Sequence, residues 1–327
     1  EKLIREDKVC VVFGCWTSAS RKAVVPVVER HDHLLVYPVQ YEGVEQSPNI
    51  VYLGPVPNQQ ILPALRWLVG FENRRRWFLV GSDYVFPVTA NAVVKDEAKA
   101  RGCEVVGEEY LLLGSTDVDR VIRAIVEARP DLIVNTINGD TNVAFFRGLR
   151  RAKVTTKAAP ALSFSISEEE LGQVGPGEAT GDFVAGNYFQ STDTPQNREF
   201  LARFGRRYGA ERVVSAPMQS AYAGVHLWAA AVRAAGHEDP RAVREAVKGR
   251  QYDAPQGPIR IDLSTLHTVQ TVRVGRVDRD GRVVEEYQSP QPVVPEPFPA
   301  SRDRKEWTEF VEGLHKRWGG RWSNPGS

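Results

Sequence analysis

Trp16, Thr17, Ser18 and Ser20 stand between a β-branched and aromatic run, Val11-Val12-Phe13, and an amphipathic stretch that runs on to Arg30. Gly14 marks the turn between the two. A strand–turn–helix corner of this kind leaves the helix's first backbone N–H groups without internal partners. Those donors, at the positive end of the helix dipole, can hold an oxygen of a small ligand. The hydroxyls of Thr17, Ser18 and Ser20 add to them, and Trp16 adds a flat wall. The plainer reading is that Thr17 or Ser18 simply caps the helix. Tyr37, Tyr41, Tyr84, Asn138, Asp140 and Tyr188 fall in or beside other turns. Each tyrosine alone reads as a packing residue. Together the set suits a small, planar, uncharged polar ligand, stacked between rings and satisfied at its edges by hydroxyls and one carboxylate.

Cys15 raises the competing chemistry of a nucleophile, because a helix N-terminus favours a thiolate. A hydrolase would also need a base. No histidine occurs in the other loops expected at that edge, so the chain is read as a non-enzyme. No Walker spacing and no dinucleotide glycine fingerprint follows any strand. His31-Asp32-His33 ends a helix in a polar turn and reads as solvated, and the other histidines have no ligand spacing. Neither cofactor nor metal is expected.

These residues must be positioned by an alternation of strands and helices. The opening segment 1–7 reads as the end of a helix. Helix 18–30 is followed by strands 34–39 and 50–53, a helix capped by Asn58 and running to about Val69, and strand 77–80. Helix 89–101, strand 103–106, apolar run 110–113, helix 116–128, strand 132–136, helix 141–151 and strand 161–164 follow. Such alternation argues for parallel sheets with helices on both faces. Right-handed crossovers bring the strand-to-helix loops to one edge, where ligands of open α/β sheets sit. The loops are 14–20, 37–43, 81–87 and 138–141. Beyond Pro195 come helices 196–208, 218–235 and 241–248, then a β-rich stretch whose runs 271–277 and 282–287 join at Asp280-Gly281 as a hairpin. Residues 290–299 hold five prolines and read as an extended strap. Trp307, Phe310, Leu314 and Trp318 mark a final amphipathic helix whose stripe needs a partner surface.

The 327 residues suffice for two domains. Lys+Arg total 42 against Asp+Glu 41, a balance that offers nothing to nucleic acid. No apolar run approaches the roughly 20 residues that span a bilayer. The three cysteines, Cys10, Cys15 and Cys103, form no framework.

The stretch Phe13-Gly14-Cys15-Trp16-Thr17-Ser18-Ala19-Ser20-Arg21-Lys22-Ala23-Val24 resembles the urea-binding proteins of ABC transporters and, less closely, the related short-chain-amide receptors. Tyr37-Pro38-Val39-Gln40-Tyr41-Glu42-Gly43, Gly81-Ser82-Asp83-Tyr84, Asn135-Thr136-Ile137-Asn138-Gly139-Asp140, Asn187-Tyr188-Phe189-Gln190-Ser191 and Asp253-Ala254-Pro255-Gln256-Gly257-Pro258 carry the same likeness. It covers about residues 1–299. It implies a type I periplasmic-binding-protein fold, with two doubly wound α/β lobes joined by a hinge and closing on a ligand. Chain crossings are expected near Glu72, Ser191 and Gly257. Lobe one would hold 1–72 and 192–256, lobe two 73–191 and 257–299, and 300–327 would be a helical tail. The family's opening βαβ portion is absent ahead of Glu1, which implies either a truncated record or a gap filled by another chain.

The implied function is extracytoplasmic capture, periplasmic or membrane-anchored, of urea or a short-chain amide for an ABC transporter permease. A cytoplasmic amide-sensing regulator and an amidase are the alternatives. In the implied site the helix end at Ser18 takes the ligand oxygen, Asp140 accepts its N–H groups, and Trp16, Tyr37 and Tyr84 sandwich its plane. Thr17, Tyr41, Asn138 and Tyr188 complete the set.

Overall fold

The computed structural model describes residues 1–175 and 177–326. A short helix α1 (Lys2–Arg5) leads into strand β1 (Val12–Phe13), helix α2 (Ser18–Arg30), and strands β2 (Leu35–Tyr37) and β3 (Ile50–Tyr52). The three strands pair in parallel in the order β1-β2-β3, with Val12 opposite Leu35 and Leu35 opposite Ile50. Every residue of β2 and β3 is buried, as expected of strands covered on both faces.

Helix α3 (Ile61–Glu72) opens the second layer, followed by β4 (Arg76–Ser82), α4 (Val85–Arg101), β5 (Glu104–Leu111), α5 (Asp119–Ala128), β6 (Leu132–Thr136), α6 (Thr141–Arg151), β7 (Ala161–Ser163), α7 (Glu168–Val174) and β8 (Phe183–Gly186). The runs expected at 103–106 and 110–113 are one continuous strand, because β5 follows β4 residue for residue from Phe78–Gly107 to Ser82–Leu111 after a register shift at Trp77/Phe78. Helices α8 (Pro195–Tyr208), α9 (Ala216–Ala235) and α10 (Pro240–Val247) return the chain to the first layer. Gly224 lets α9 lie close to the sheet, since a Cβ there would stand 2.6 Å from Leu53 and 2.9 Å from Val36. An antiparallel sheet of β9 (Gln251–Ala254), β10 (Gly257–Ile261) and β11 (Thr268–Val269) packs into the same core. The hairpin β12 (Arg273–Val277) and β13 (Val283–Gln288) adds antiparallel strands to the second sheet, which reads β13-β12-β8-β7-β6-β4-β5. Helix α11 (Arg304–Arg317) ends the regular structure.

Two boundaries fall elsewhere than the sequence places them. Helix α3 buries Ile61, Leu65 and Leu68 in the core that holds Trp77 and Leu79, so it lies with the second sheet, and the chain crosses over Pro55–Gln60 rather than at Glu72. Residues 257–269 pair with β9 and share the first layer's core, so the last crossing follows β11, near Gln270, rather than Gly257. Side-chain amides tie these crossings together. Gln60 Nε2 donates to Phe164 O (2.9 Å) and Ala185 O (2.8 Å), and Asn187 Nδ2 donates to Gln256 Oε1 (2.7 Å) and Gln270 Oε1 (2.9 Å).

The apolar stripe of α11 finds its surface on α4. Trp307, Val311, Leu314 and Trp318 join Val93, Val94 and Ala98 in one core. The strap is held by Asn58, whose Nδ2 donates to Val294 O and whose Oδ1 accepts Glu296 N–H. Asn58 thus ties down the strap and caps no helix. Past α11 the chain doubles back along the β4–α4 loop: Val85 N–H donates to Trp322 O (3.0 Å) and Asn324 N–H to Asp83 O (3.1 Å).

Candidate functional site

The corner after β1 turns at Cys15, whose φ of +62° is left-handed, and leaves Trp16 56% exposed. Thr17 is the N-cap of α2, its hydroxyl accepting Ser20 N–H at 3.1 Å. Ser18, one residue on, is buried and donates its hydroxyl to Glu42. One turn further, the fully buried Arg21 guanidinium donates to Ser18 Oγ (3.0 Å), Glu42 Oε1 (3.1 Å) and Glu45 Oε1 (2.7 Å). The same group lies over Tyr37 at 4.8 Å and Tyr41 at 4.2 Å. Lys22 adds a bond of 3.1 Å to Glu45. Arg21 and Lys22 hold the Glu45 carboxyl at about 2 despite its burial.

The rings behind this cluster are equally committed. Tyr37 donates to Trp16 O at 3.1 Å, and Tyr41 donates to Nε2 of His267. Burial holds His267 near 4, so it is neutral, with Nδ1–H placed on Thr265 O at 2.8 Å. Tyr84 donates to Asn138 Oδ1 at 3.0 Å, and burial pushes the hydroxyls of Tyr37, Tyr41 and Tyr84 upward. The ring-and-hydroxyl box anticipated for a ligand is filled by the chain's own guanidinium.

An open cleft of about 250 Å³ lies beside it, between the two layers. Trp16, Gln40 and Pro55 face it from the first layer, and Asp140, Ser165 and Glu168 from the second. Gln40 Nε2 spans it, donating to Ser165 Oγ at 2.9 Å. Among the described residues, its lining includes no lysine, arginine or histidine, while Asp140, Glu168, Glu169 and Glu170 all contribute. Glu168 is 8% exposed and accepts Gln190 N–H at 2.9 Å. Burial without a cationic partner pushes its carboxyl up to about 7.

Of the expected site residues, the structure brings Trp16, Asp140 and Tyr188 together at this cleft; the Tyr188 hydroxyl is turned away to Asn197 Oδ1 at 2.8 Å. Thr17, Ser18, Tyr37, Tyr41, Tyr84 and Asn138 lie outside its lining, in the bonds described above. Gln40, Gln60 and the β7–α7 corner, residues 165–170, were not among the expected site residues. That corner follows the parallel strand β7, so the carboxyl-edge rule already marked it. Cys15 shows no activated thiol, because burial pushes its pKa up rather than down.

A family model described as a periplasmic binding protein domain matches residues 1–304. A Leu/Ile/Val-binding protein homolog from Brucella melitensis is 24% identical over 286 residues, covering 85% of this chain and 72% of its own. A limonene hydroxylase from Geobacillus stearothermophilus is 28% identical over 142 residues, 42% of this chain; the match spans only 26% of that protein. Among solved structures, an R. palustris ABC-transporter solute-binding protein in complex with 4-hydroxybenzoate superposes with a TM-score of 0.81 at 24% identity, covering 89% of this chain and 81% of that one. A leucine-binding protein from Thermotoga maritima gives 0.77 at 18% identity, with 88% and 81% covered. These two likenesses establish the fold.

Proposed function

The chain belongs to the periplasmic binding protein domain family, and on that premise we propose that its cleft captures a small neutral molecule rich in N–H groups, urea or a short-chain amide, outside the cytoplasm for the permease of an ABC transporter. The observation that carries the ligand class is the lining itself: four carboxylates and, among the described residues, no basic side chain. A benzoate or an amino acid brings a carboxylate of its own, and a buried anion without a cation is costly. An amide brings donors, which the carboxylates of Asp140 and Glu168 in the lining would accept, and a flat face that suits Trp16. Contacts from both layers would favour the closed form on binding. Hydrolysis of the ligand is disfavoured because, among the described residues, the lining includes no histidine, and because burial raises the Cys15 pKa.

A thermal-shift panel tests this reading, since a ligand that binds only the folded state raises the melting temperature. Urea, formamide or acetamide should raise it, and 4-hydroxybenzoate and leucine should not. The reverse pattern would overturn the assignment.

A further inference from the structure

We propose that the same cleft takes the cationic planar counterpart of an amide, a guanidinium or amidinium ion, more tightly than the neutral amide, and that Glu168 confers this preference. The inference rests on the cleft being the ligand site.

Its ground is which hydrogen-bonding groups the walls leave free. Both N–H groups of Gln60 Nε2 are committed to Phe164 O and Ala185 O, and both of Asn187 Nδ2 to Gln256 and Gln270. Gln40 Nε2 is committed to Ser165. The amide N–H groups of Gln60 and Asn187 are therefore drawn into the hinge and one of Gln40 is spent on Ser165, while the carboxylates remain. Glu168 makes no ion pair among the described residues; its recorded bond is from Gln190 N–H. The charged groups around it are Glu169 and Glu170 on its own helix, Asp140 on the same wall of the cleft, and Glu211 and Arg212 in an adjoining recess. Urea carries a carbonyl oxygen that needs a donor. A guanidinium presents N–H groups on every edge, needs no acceptor of its own satisfied, and makes charge-assisted bonds to carboxylates. The chain already holds one guanidinium this way: Arg21 lies over tyrosine rings, bonded to Glu42 and Glu45. Glu168 has the burial of such a partner without the cation.

Calorimetric titrations with guanidinium chloride, acetamidinium chloride and urea, at equal ionic strength and about one pH unit above the Glu168 value of about 7, test it. Guanidinium should bind about tenfold or more tighter than urea. Glu168→Gln, which keeps an acceptor for Gln190, should bring the two affinities together. Asp140→Asn, at an exposed position, should lower guanidinium affinity more than urea affinity. Urea binding with no guanidinium binding would overturn the inference and leave the amide-receptor reading standing. Binding of none of these compounds would overturn both.

Discussion

The guanidinium carbon of Arg21 lies 4.2 Å from the centre of the Tyr41 ring, in the place where the sequence suggests a flat, donor-rich ligand. Its bonds to Glu42 and Glu45 make it the only described cation, besides Lys22, paired with these two carboxylates. Removing one partner of a buried ion pair strands the other. Arg21→Leu should therefore cost about 3–5 kcal/mol of folding stability, read from denaturant unfolding. A loss below about 1 kcal/mol would mean that Glu42 and Glu45 find water without it.

Acid should act through the same cluster. The Glu45 carboxyl titrates at about 2, below the ordinary glutamate value, because Arg21 and Lys22 hold it ionised. A depressed acid pKa contributes stability that is present above the unfolded value and lost as pH falls through the folded one. The unfolding free energy should fall between about pH 4.5 and 2, with Glu45 contributing on the order of 3 kcal/mol. Glu45→Gln should flatten that part of the profile.

Glu168 works in the opposite sense. Its folded value of about 7 lies above the unfolded one, so its contribution is fully present below about pH 4.5 and is lost as pH rises through 7. Glu168→Gln should leave stability near pH 4 almost unchanged and raise it at pH 8 by up to about 3 kcal/mol, in thermal unfolding compared at the two values. A ligand site kept at a cost to stability would show this trade.

Helix α11 should prove structural. Trp307 is fully buried, its indole N–H donating to Pro299 O at 2.8 Å, in the core shared with α4. Trp307→Ala should lower stability by about 3–5 kcal/mol. A change below about 1 kcal/mol would show that the tail is only loosely docked.

The β/α alternation was legible because strands such as β4 are continuous apolar runs and the helices carry clear stripes. Helix α2 begins at Ser18 and ends at Arg30 as its pattern requires. Trp16 and Asp140 could be marked because each sits just past the carboxyl end of a parallel strand. What could not be read was Arg21, one turn into α2, folding beneath Tyr37 and Tyr41 and filling the box they form. A lone arginine on an amphipathic helix looks like solvent-facing charge until tertiary packing supplies Glu42 and Glu45. Glu168 was hidden for a similar reason. Ser167-Glu168-Glu169-Glu170 reads as a helix opening, and Glu170 does bond back to Ser167 N–H at 2.7 Å. Only the packing of that turn against Gln190 separates the buried Glu168 from its exposed neighbour Glu169. The hinge positions slipped because α3 is apolar enough for either layer, and its choice depends on Trp77 and Leu79.

On the proposed function, a small N–H-rich solute binds in the cleft between Trp16 and Asp140. Calorimetric titration of urea into the wild-type chain and into Asp140→Ala addresses it most directly. The wild type should saturate with one site, and the variant should bind about tenfold or more weakly, as expected when a ligand donor loses its acceptor. Urea binding to Asp140→Ala at undiminished affinity would contradict the account.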